Sequence, residues 1–337
     1  MKAAMLRGQR SLAIEDVPAP TPKYGEVLVR VRATAICGTD ISIYEGKTKV
    51  NYPRIIGHES AGEVVELGKG IRSSKVGDKV VMSPTSYCGA CPACIAGSTN
   101  LCENGGLFGR EIDGSFAEYV VLAENRVFKL PDSISLVEAT TFAVLTTVVY
   151  AQRKINMIPG SSVVVIGEGP SGMLHTKLAK LRGSDPVIGV SRSQWKLDLA
   201  EKVYGADLTL RESEASRVLD LTGGRGADFV IESAGTAETL NLATELVRPG
   251  GTILAFGITP PAVEKFLSYA LYFKDLTLIG SRAMLPADWP LSIKLAEKKM
   301  IDLGTIITHR LPLVELERGF ILIKDRSKKA LRVVIEI

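Results

Sequence analysis

The chain has 337 residues, of which 46% are apolar and 23% are charged, and its formal net charge is +4 at pH 7. This length exceeds what one hydrophobic core usually supports, so we expect a globular protein of two domains. The charge suits an anionic cofactor, but no run of five basic residues indicates a nucleic-acid or membrane surface.

The N-terminal residues 1–20 lack the apolar block of a signal peptide. No window approaches 18 uninterrupted apolar residues, so we predict no transmembrane helix. We therefore expect a cytoplasmic protein that binds neither membranes nor nucleic acids.

The first 130 residues are predicted to be rich in β-strands. Residues 27–33 alternate between apolar and polar, and residues 62–68 and 77–82 are predicted to be further short strands bounded by glycine. Strands at this spacing, separated by glycine turns, favour a small barrel or sandwich over βαβ units.

Two short segments of this region carry a candidate catalytic metal site: Cys37-Gly38-Thr39-Asp40 and Gly57-His58-Glu59. A catalytic zinc ion keeps one position open for water or substrate, and as a Lewis acid it lowers the pKa of a bound alcohol. Thr39 could hydrogen-bond the substrate oxygen and relay its proton. Taken singly, a cysteine is more often a core residue and a histidine a satisfied polar residue. Their occurrence together beside a four-cysteine segment favours the metal site.

That four-cysteine segment predicts a structural metal site. Four thiols lie within fifteen residues: Cys88, Cys91, Cys94 and Cys102. In a reducing compartment, clustered cysteines are better explained as thiolate ligands than as disulfides, and four thiolates match the tetrahedral demand of structural Zn²⁺. The alternatives are buried free cysteines or an iron–sulfur cluster, which also uses four cysteines. We favour zinc because the rest of the chain contains no electron-transfer partner.

The sequence pattern changes near residue 150. Apolar runs indicating buried parallel strands occur at 163–166, 186–190, 229–231, 251–256 and 276–279, and helical stretches at 171–182, 194–203 and 237–246. Alternating strands and helices predict a doubly wound parallel sheet. After about Arg282 the pattern is mixed, and we expect the tail 331–337 to rejoin the first domain. The predicted domains are therefore 1–150, completed by 284–337, and an inserted domain, 151–283.

A glycine-rich segment directly follows the strand 163–166 and opens a helix. Its candidate cofactor-binding residues are Gly167, Gly169, Pro170, Ser171 and Gly172. In this context the glycines permit a tight turn, close approach of a pyrophosphate and helix packing, and the helix N-terminus stabilises negative charge. The alternative is a plain glycine turn, which would not require the order strand, turn, helix. His175, in the same helix, is interpreted as a packing residue.

The next strand bears on the choice of cofactor. It ends in Ser191-Arg192-Ser193, without the carboxylate that usually binds the ribose 2′-hydroxyl of NAD. Ser191 can hydrogen-bond a 2′-phosphate and Arg192 can pair with it, so we predict NADP(H) over NAD(H). Alternatively, Arg192 stacks on the adenine while either cofactor binds. Lys196 either adds to the phosphate pocket or is a solvated helix residue.

Together these residues resemble the zinc-containing medium-chain alcohol dehydrogenase family, and the likeness spans essentially the whole chain. Further segments typical of the family are 76–80, 114–119 and 248–251. The segments Cys37-Gly38-Thr39-Asp40 and Gly57-His58-Glu59 are most similar to those of the branch of sorbitol, threonine and related polyol dehydrogenases. The resemblance implies an α/β protein with a GroES-like β-barrel catalytic domain and a Rossmann domain, and a homotetramer.

The resemblance also implies roles for individual residues. Cys37, His58 and Glu59 match the catalytic zinc ligands, and the cysteines of the segment 88–102 match the structural ligands, so two Zn²⁺ per chain are expected. Thr39 matches the proton-relay hydroxyl, Ser191 and Arg192 match NADP-dependent secondary alcohol dehydrogenases, and Thr147 is placed with the cofactor-binding residues. This chain departs from many relatives at 141–147, which holds no acidic or thiolate ligand, and at Ser42, where relatives often have histidine. Proton release is then expected to pass through Ser42 and water.

The predicted activity is hydride transfer between NADP(H) and a secondary alcohol or polyol, of sugar or amino-alcohol type. The alternatives are a zinc-free quinone or enone reductase of the same fold and a non-catalytic binding protein that retains the fold. Substrate identity is left open and includes a phosphorylated polyol, given Arg110 and Arg282. The pocket is expected to be formed by scattered residues such as Ile43, Tyr44, Tyr52, Phe108 and Met284.

Overall fold

The computed structural model describes residues 1–258, 263 and 266–337. They divide into two compact units, each with its own sheets. Unit 1 consists of Met1–Thr146, Leu285–Lys298 and Leu303–Ile337. Unit 2 consists of Thr147–Met284 and Lys299–Asp302.

The first part of the chain supplies most of the strands of unit 1. In chain order its elements are β1 (Lys2–Gly8), β2 (Ser11–Asp16), β3 (Glu26–Ala35), α1 (Gly38–Tyr44), β4 (Arg54–Ile55), β5 (Glu59–Leu67), β6 (Lys79–Met82), β7 (Thr85–Ser86), α2 (Pro92–Ile95), β8 (Gly106–Leu107), β9 (Tyr119–Ala123), β10 (Val127–Lys129), α3 (Leu136–Ala139) and α4 (Phe142–Arg153). The unit boundary falls within α4.

Unit 2 alternates strands with helices, and the chain then returns to unit 1. The elements of unit 2 are β11 (Val163–Ile166), α5 (Pro170–Leu181), β12 (Val187–Ser191), α6 (Gln194–Lys202), β13 (Leu208–Arg211), α7 (Arg217–Leu221), β14 (Ala227–Glu232), α8 (Ala237–Leu246), β15 (Val247–Ala255), α9 (Ser268–Phe273) and β16 (Thr277–Gly280). The returning elements are α10 (Trp289–Glu297), β17 (Ile307–Pro312), α11 (Leu316–Lys324) and β18 (Arg332–Glu336).

The largest sheet of unit 1 has the order β10-β6-β5-β3-β18-β17, with β9 also paired to β3. Along β3 the residues Val27, Val29 and Val31 are buried at every second position, as expected of a strand with one face on a core. The C-terminal strand β18 lies antiparallel to β3, with Val334 opposite Ala35. The C-terminal strand therefore joins the same sheet as β3, β5 and β6.

In the described part of unit 2, parallel strands follow the order β13-β12-β11-β14-β15-β16. The central strand β11 is buried at all four positions, because alternate residues enter two different cores. Val164 and Ile166 pack in one apolar cluster, and Val163 and Val165 pack in another. The strand order reverses at β11, and ligands of such sheets bind beyond the carboxyl ends of the strands at this point. The predicted doubly wound parallel sheet is confirmed.

Most predicted elements are found within a few residues of their predicted ends. The helix predicted at 171–182 begins one residue earlier, at Pro170, since the fixed φ of proline suits the first helical position. The strand predicted at 251–256 begins at Val247, which pairs with Ala227 before an irregularity in the ladder.

Among the helices that the structure describes, none combines the length and the apolar character needed to cross a membrane.

Candidate functional site

The four cysteines of the segment 88–102 converge, with their sulfur atoms within 4.8 Å of one another. The Sγ of Cys102 lies 3.5 Å from that of Cys88 and 3.8 Å from that of Cys91. Four sulfurs about 2.3 Å from a common centre stand about 3.8 Å apart in a tetrahedron, so this arrangement fits a zinc ion. Backbone N–H groups of Ala90 and Cys91 lower the pKa of the Cys88 thiol to about 6, which favours the thiolate that a metal requires.

The second cluster joins Cys37, His58 and Glu59, whose ligand atoms also lie within 4.8 Å of one another. The pairing of β3 with β5 explains why residues so far apart in sequence meet. Ala35, near the end of β3, stands opposite Glu59, the first residue of β5. Cys37 follows β3 by two residues and His58 immediately precedes β5, so the antiparallel register brings both to one corner of the sheet.

Asp40 organises this corner, and its role was missed at the level of the sequence. Its carboxylate is fully buried and accepts hydrogen bonds from the backbone N–H groups of Cys37 (2.9 Å) and Gly57 (3.1 Å). It also lies 3.1 Å from Nδ1 of His58. A partner on Nδ1 leaves Nε2 of the ring free to bind a metal, as is usual for ligating histidines.

The negative charge of the cluster fits a bound cation. Burial alone lowers the pKa of His58, but the Asp40 carboxylate and the Cys37 sulfur raise that pKa well above its ordinary value. The imidazole thus attracts a proton because anionic groups surround it. A divalent cation bound by the same groups satisfies this demand in place of the proton.

Glu59 has a cationic partner of its own. Its Oε2 accepts a hydrogen bond of 2.7 Å from Nη2 of Arg332, and both side chains are buried. The same Nη2 donates to the carbonyl oxygen of Thr140 at 2.5 Å. Arg332 is the first residue of β18, so the C-terminal strand fixes the Glu59 carboxylate.

The two hydroxyl residues expected in proton transfer both lie on α1. Thr39 is in its first turn and is half-buried. Ser42 follows three residues later, and its Oγ lies 2.8 Å from Oγ1 of Thr48. The hydroxyl of Ser42 therefore has a second hydroxyl as its partner.

Cys37, His58 and Glu59 supply three candidate metal ligands. Among the described residues, no further cysteine, histidine, aspartate or glutamate completes this set as a fourth ligand. The hydroxyl of Thr141, in the segment 141–147, donates to the carbonyl oxygen of Leu303 at 3.3 Å. This agrees with the absence of an acidic or thiolate ligand from that segment of the sequence.

The glycine-rich turn has the geometry expected of a pyrophosphate site. Gly167 has φ +97°, and a Cβ there would lie 2.8 Å from the backbone nitrogen of Ala234. A Cβ on Gly172 would lie 2.0 Å from the carbonyl oxygen of Gly167, so only glycine allows this packing. A Cβ on Gly169, the N-cap of α5, would meet no atom within 4 Å. The turn thus leaves open space at the helix N-terminus, where an anion is stabilised.

Comparison with known proteins assigns the chain to a family. Residues 23–132 match the family model of the alcohol dehydrogenase GroES-like domain, and residues 170–298 match that of the zinc-binding dehydrogenases. The chain is 34% identical to a sorbitol dehydrogenase of Halalkalibacterium halodurans, over 97% of this chain and 96% of that protein. It is 38% identical to an L-threonine 3-dehydrogenase of Pyrococcus horikoshii, over 88% of this chain and 86% of that protein. The chain belongs to the zinc-containing medium-chain alcohol dehydrogenase family.

Solved structures agree with the family assignment. An alcohol dehydrogenase from Thermus sp. ATN1 is 32% identical with a TM-score of 0.91, covering 100% of this chain and 99% of that one. A Sinorhizobium meliloti protein solved with NADP is 30% identical, and an Escherichia coli alcohol dehydrogenase complexed with NADH is 27% identical, with TM-scores of 0.91 and 0.93 and the same coverage. The GroES-like and Rossmann folds and the alcohol or polyol dehydrogenase class are confirmed. These two structures hold different cofactors, NADP and NADH.

The end of β12 is expected to select the cofactor. In the dehydrogenase it lies beside more charged groups than its own residues, Ser191 to Ser193, indicated. Nε of Arg192 lies 3.6 Å from Oε2 of Glu212, which follows the neighbouring strand β13. The guanidinium of Arg211 donates to the backbone carbonyl oxygen of Arg192. Oγ of Ser191 accepts a hydrogen bond of 3.4 Å from the N–H of Ser193. Two arginines and one carboxylate therefore meet at this edge.

The remaining candidate cofactor-binding residues are Ser171, Lys196 and Thr147. The hydroxyls of Ser171 and Ser233 lie 2.8 Å apart, which links the start of α5 to the end of β14. The ammonium of Lys196 lies 5.5 Å from the centre of the Trp195 ring. Thr147 is half-buried within α4.

Three of the residues expected to form a substrate pocket are buried in the apolar core. Ile43, Phe108 and Met284 are almost completely buried. The guanidinium carbon of Arg126 lies over the ring of Phe108, 4.2 Å from the ring centre.

Glu168, between the first two glycines of the turn, is fully buried. Its Oε1 accepts a hydrogen bond of 2.7 Å from the hydroxyl of Thr176, while Oε2 has no partner among the described residues. Burial raises the pKa of Glu168 to about 8, and the Thr176 hydroxyl opposes this only in part. The carboxyl group is therefore largely protonated at neutral pH.

We predict that Asp40→Asn lowers the zinc affinity of the cluster formed by Cys37, His58 and Glu59 by about 10- to 100-fold, because the amide no longer orients His58. Zinc retained against increasing chelator measures the effect. Asp132→Asn, at an exposed position of unit 1, is the control and should retain zinc like the wild type. Equal retention by all three proteins would contradict the role of Asp40.

Glu168→Gln should stabilise the dehydrogenase increasingly as the pH rises from about 5 to about 8. The folded pKa of Glu168 is raised, so the unfolded chain loses this proton first, and the wild type loses stability across that window. The difference in unfolding free energy should grow by about 1 kcal/mol per pH unit. Thermal or urea unfolding at pH 5, 6, 7 and 8 measures it. A difference independent of pH would show that Glu168 does not titrate there.

Proposed function

We propose that this dehydrogenase catalyses zinc-dependent hydride transfer between a secondary alcohol or polyol and NADP(H). The convergence of Cys37, His58 and Glu59 carries this proposal, because three protein ligands that leave one position open are typical of a catalytic zinc ion. Relatives named sorbitol dehydrogenase and L-threonine 3-dehydrogenase support a polyol or amino-alcohol substrate.

We assign the two halves of the reaction to the two units. The metal and the substrate hydroxyl belong to unit 1, which approximates the predicted domain 1–150 with 284–337. The dinucleotide belongs to unit 2, which approximates the predicted domain 151–283. This division follows from the positions of Cys37 in unit 1 and of the turn at Gly167 in unit 2.

In the catalytic site, Cys37, His58 and Glu59 would hold the zinc ion, and Cys88, Cys91, Cys94 and Cys102 a second, structural one. The catalytic ion supplies Lewis acidity that makes a substrate hydroxyl more acidic. Asp40 keeps Nδ1 of His58 engaged and Arg332 holds the Glu59 carboxylate, so both ligands stay oriented. Thr39 is the hydroxyl assigned to accept the substrate proton, and the Ser42–Thr48 pair can pass a proton onward.

The preference for NADP(H) rests on Arg192 and Arg211 at the end of the strands β12 and β13. A 2′-phosphate there would compete with Glu212 for the Arg192 guanidinium, and the 3.6 Å contact with Glu212 is longer than the charge-assisted bonds that arginine forms with phosphate. Ser191 adds a hydroxyl donor. Arg192 itself is 59% exposed and so has room to turn toward a ligand.

A homotetramer is proposed as the assembled form, and unit 2 offers a surface for it. The strand β16 ends the sheet order, and α9 nearby carries the exposed aromatic residues Tyr269, Tyr272 and Phe273. Unpaired strand edges and exposed apolar patches favour association. We also propose a cytoplasmic location, because the five cysteines form no disulfide, as expected of sulfur ligands kept reduced in a reducing compartment.

We predict that Cys37→Ala reduces zinc from about two ions per chain to about one and abolishes turnover, with little change in melting temperature. Cys91→Ala is the matched substitution in the structural cluster and should lower the melting temperature strongly. Metal analysis, activity and thermal unfolding of both variants distinguish the two sites. Full turnover by Cys37→Ala would support a zinc-free reductase of this fold, and a single zinc in the wild type would contradict the catalytic site.

Arg192→Ala should lower kcat/KM for NADP⁺ by roughly tenfold or more, because a charge-assisted contact to the 2′-phosphate is lost. The value for NAD⁺ should change by less than about threefold. Arg217→Ala, an exposed arginine of the same unit that pairs with Glu214, is the control. A wild type that strongly prefers NAD⁺ would reject the cofactor assignment.

A further inference from the structure

The side chain of Glu168 is built into the turn that precedes α5. Gly167 and Gly169 flank it in sequence, and Gly169 is the N-cap of the helix. Its Oε1 is tied to Thr176 by a hydrogen bond of 2.7 Å. Because Thr176 lies two helical turns along α5, this bond connects the turn to the body of the helix.

The neighbouring strand β12 leaves room for this carboxyl group. A Cβ on Gly189 would lie 2.8 Å from Oε1 of Glu168, closer than real Cβ atoms approach a neighbour. A Cβ on Gly172 would lie 3.4 Å from Oε2. The Glu168 side chain therefore occupies space that is open because Gly189 of β12 has no side chain. Its position is restricted by β12 on one side and by α5 on the other.

We propose that Glu168 is a positioning residue for the dinucleotide: its neutral carboxyl group fixes the pyrophosphate-binding turn, and loss of its proton weakens cofactor binding. This inference rests on the proposed function, because it assumes that the turn holds a dinucleotide.

Because Glu168 is buried, its charge acts strongly on a nearby anion. A pyrophosphate at the N-terminus of α5 brings negative charge to the residues directly following Glu168. An ionised carboxylate with no exposed surface is not screened by solvent ions, so it repels that charge at close range. In the part of the chain that the structure describes, no lysine or arginine forms an ion pair with Glu168 that would offset it.

Among the described residues, the titratable groups on the elements that pack around Glu168 do not supply a compensating positive charge. His175, next to Thr176 on α5, has its pKa lowered to about 3 by burial and is neutral. Its Nδ1 lies 3.2 Å from the amide of Gln152. Glu232, at the end of β14, accepts the backbone N–H groups of Ala234 and Gly235 at 2.8 Å. Thr176 and the two glycines near Glu168 carry no charge.

Binding and protonation are therefore coupled. The pKa of Glu168 is raised to about 8 by burial, so a fraction of the free enzyme is ionised at that pH. A bound dinucleotide favours the neutral form, and the protein takes up a proton as it binds.

Fluorescence titration with NADPH at pH 7 and pH 9 tests the proposal on the wild type, Glu168→Gln and Glu201→Gln. Glu201 is the matched control, since its carboxylate also accepts a threonine hydroxyl, from Thr209, at 3.2 Å on the surface. The wild type and Glu201→Gln should lose roughly tenfold more affinity between the two pH values than Glu168→Gln. Calorimetry at pH 8 in buffers of different ionisation enthalpy should show proton uptake on binding, reduced in Glu168→Gln.

A parallel loss of affinity in all three proteins would overturn the role of Glu168 and leave the proposed function standing. Failure of the wild type to bind NADPH or NADH at pH 7 would instead overturn the proposed function, and this role with it. Should Glu168→Gln not fold, Glu168→Ala also lacks the charge and must show the same shallow pH profile. A steep alkaline loss in that variant would equally overturn the proposal.

Discussion

The register between β3 and β5 is the constraint on which the candidate catalytic site depends. Since Ala35 stands opposite Glu59, the residues just beyond one strand and just before the other share a corner of the sheet. A slip of one residue would turn the Glu59 side chain to the other face. The hydrogen bonds of Asp40 to both segments then lock the corner, and β18 adds Arg332 from the same sheet. The ligands are thus placed by backbone pairing before any metal binds.

The two candidate metal clusters illustrate different ways of assembling a site. The four cysteines at 88–102 lie within one short segment, so local turns suffice to bring their sulfurs to distances of 3.5 and 3.8 Å. The cluster at Cys37 is assembled across the sheet and contains a histidine whose pKa is raised by surrounding anions. A closed set of four thiolates suits a structural ion, whereas three ligands leave the open position that catalysis needs.

Residues that act through local spacing could be predicted from the sequence, and residues that act over long range could not. The cysteine spacing, the glycine turn and the apolar strand 163–166 are local signals, and the structure brings their residues together as expected. Asp40 was within reach as well, because a carboxylate three residues after the N-cap Cys37 has capping-box spacing. Arg332 lies 273 residues from Glu59, and Glu212 reaches Arg192 from another strand, so no local pattern reveals either contact. The burial of Glu168 depends on the missing side chain of Gly189, which is likewise a tertiary effect.

Anomalous diffraction at the zinc edge, from crystals grown with zinc and NADPH, tests the central claim most directly. The account predicts two peaks per chain, one among the sulfurs of residues 88–102 and one within bonding distance of Cys37 Sγ and a ring nitrogen of His58. A peak in the four-cysteine segment with none beside Cys37 would contradict it.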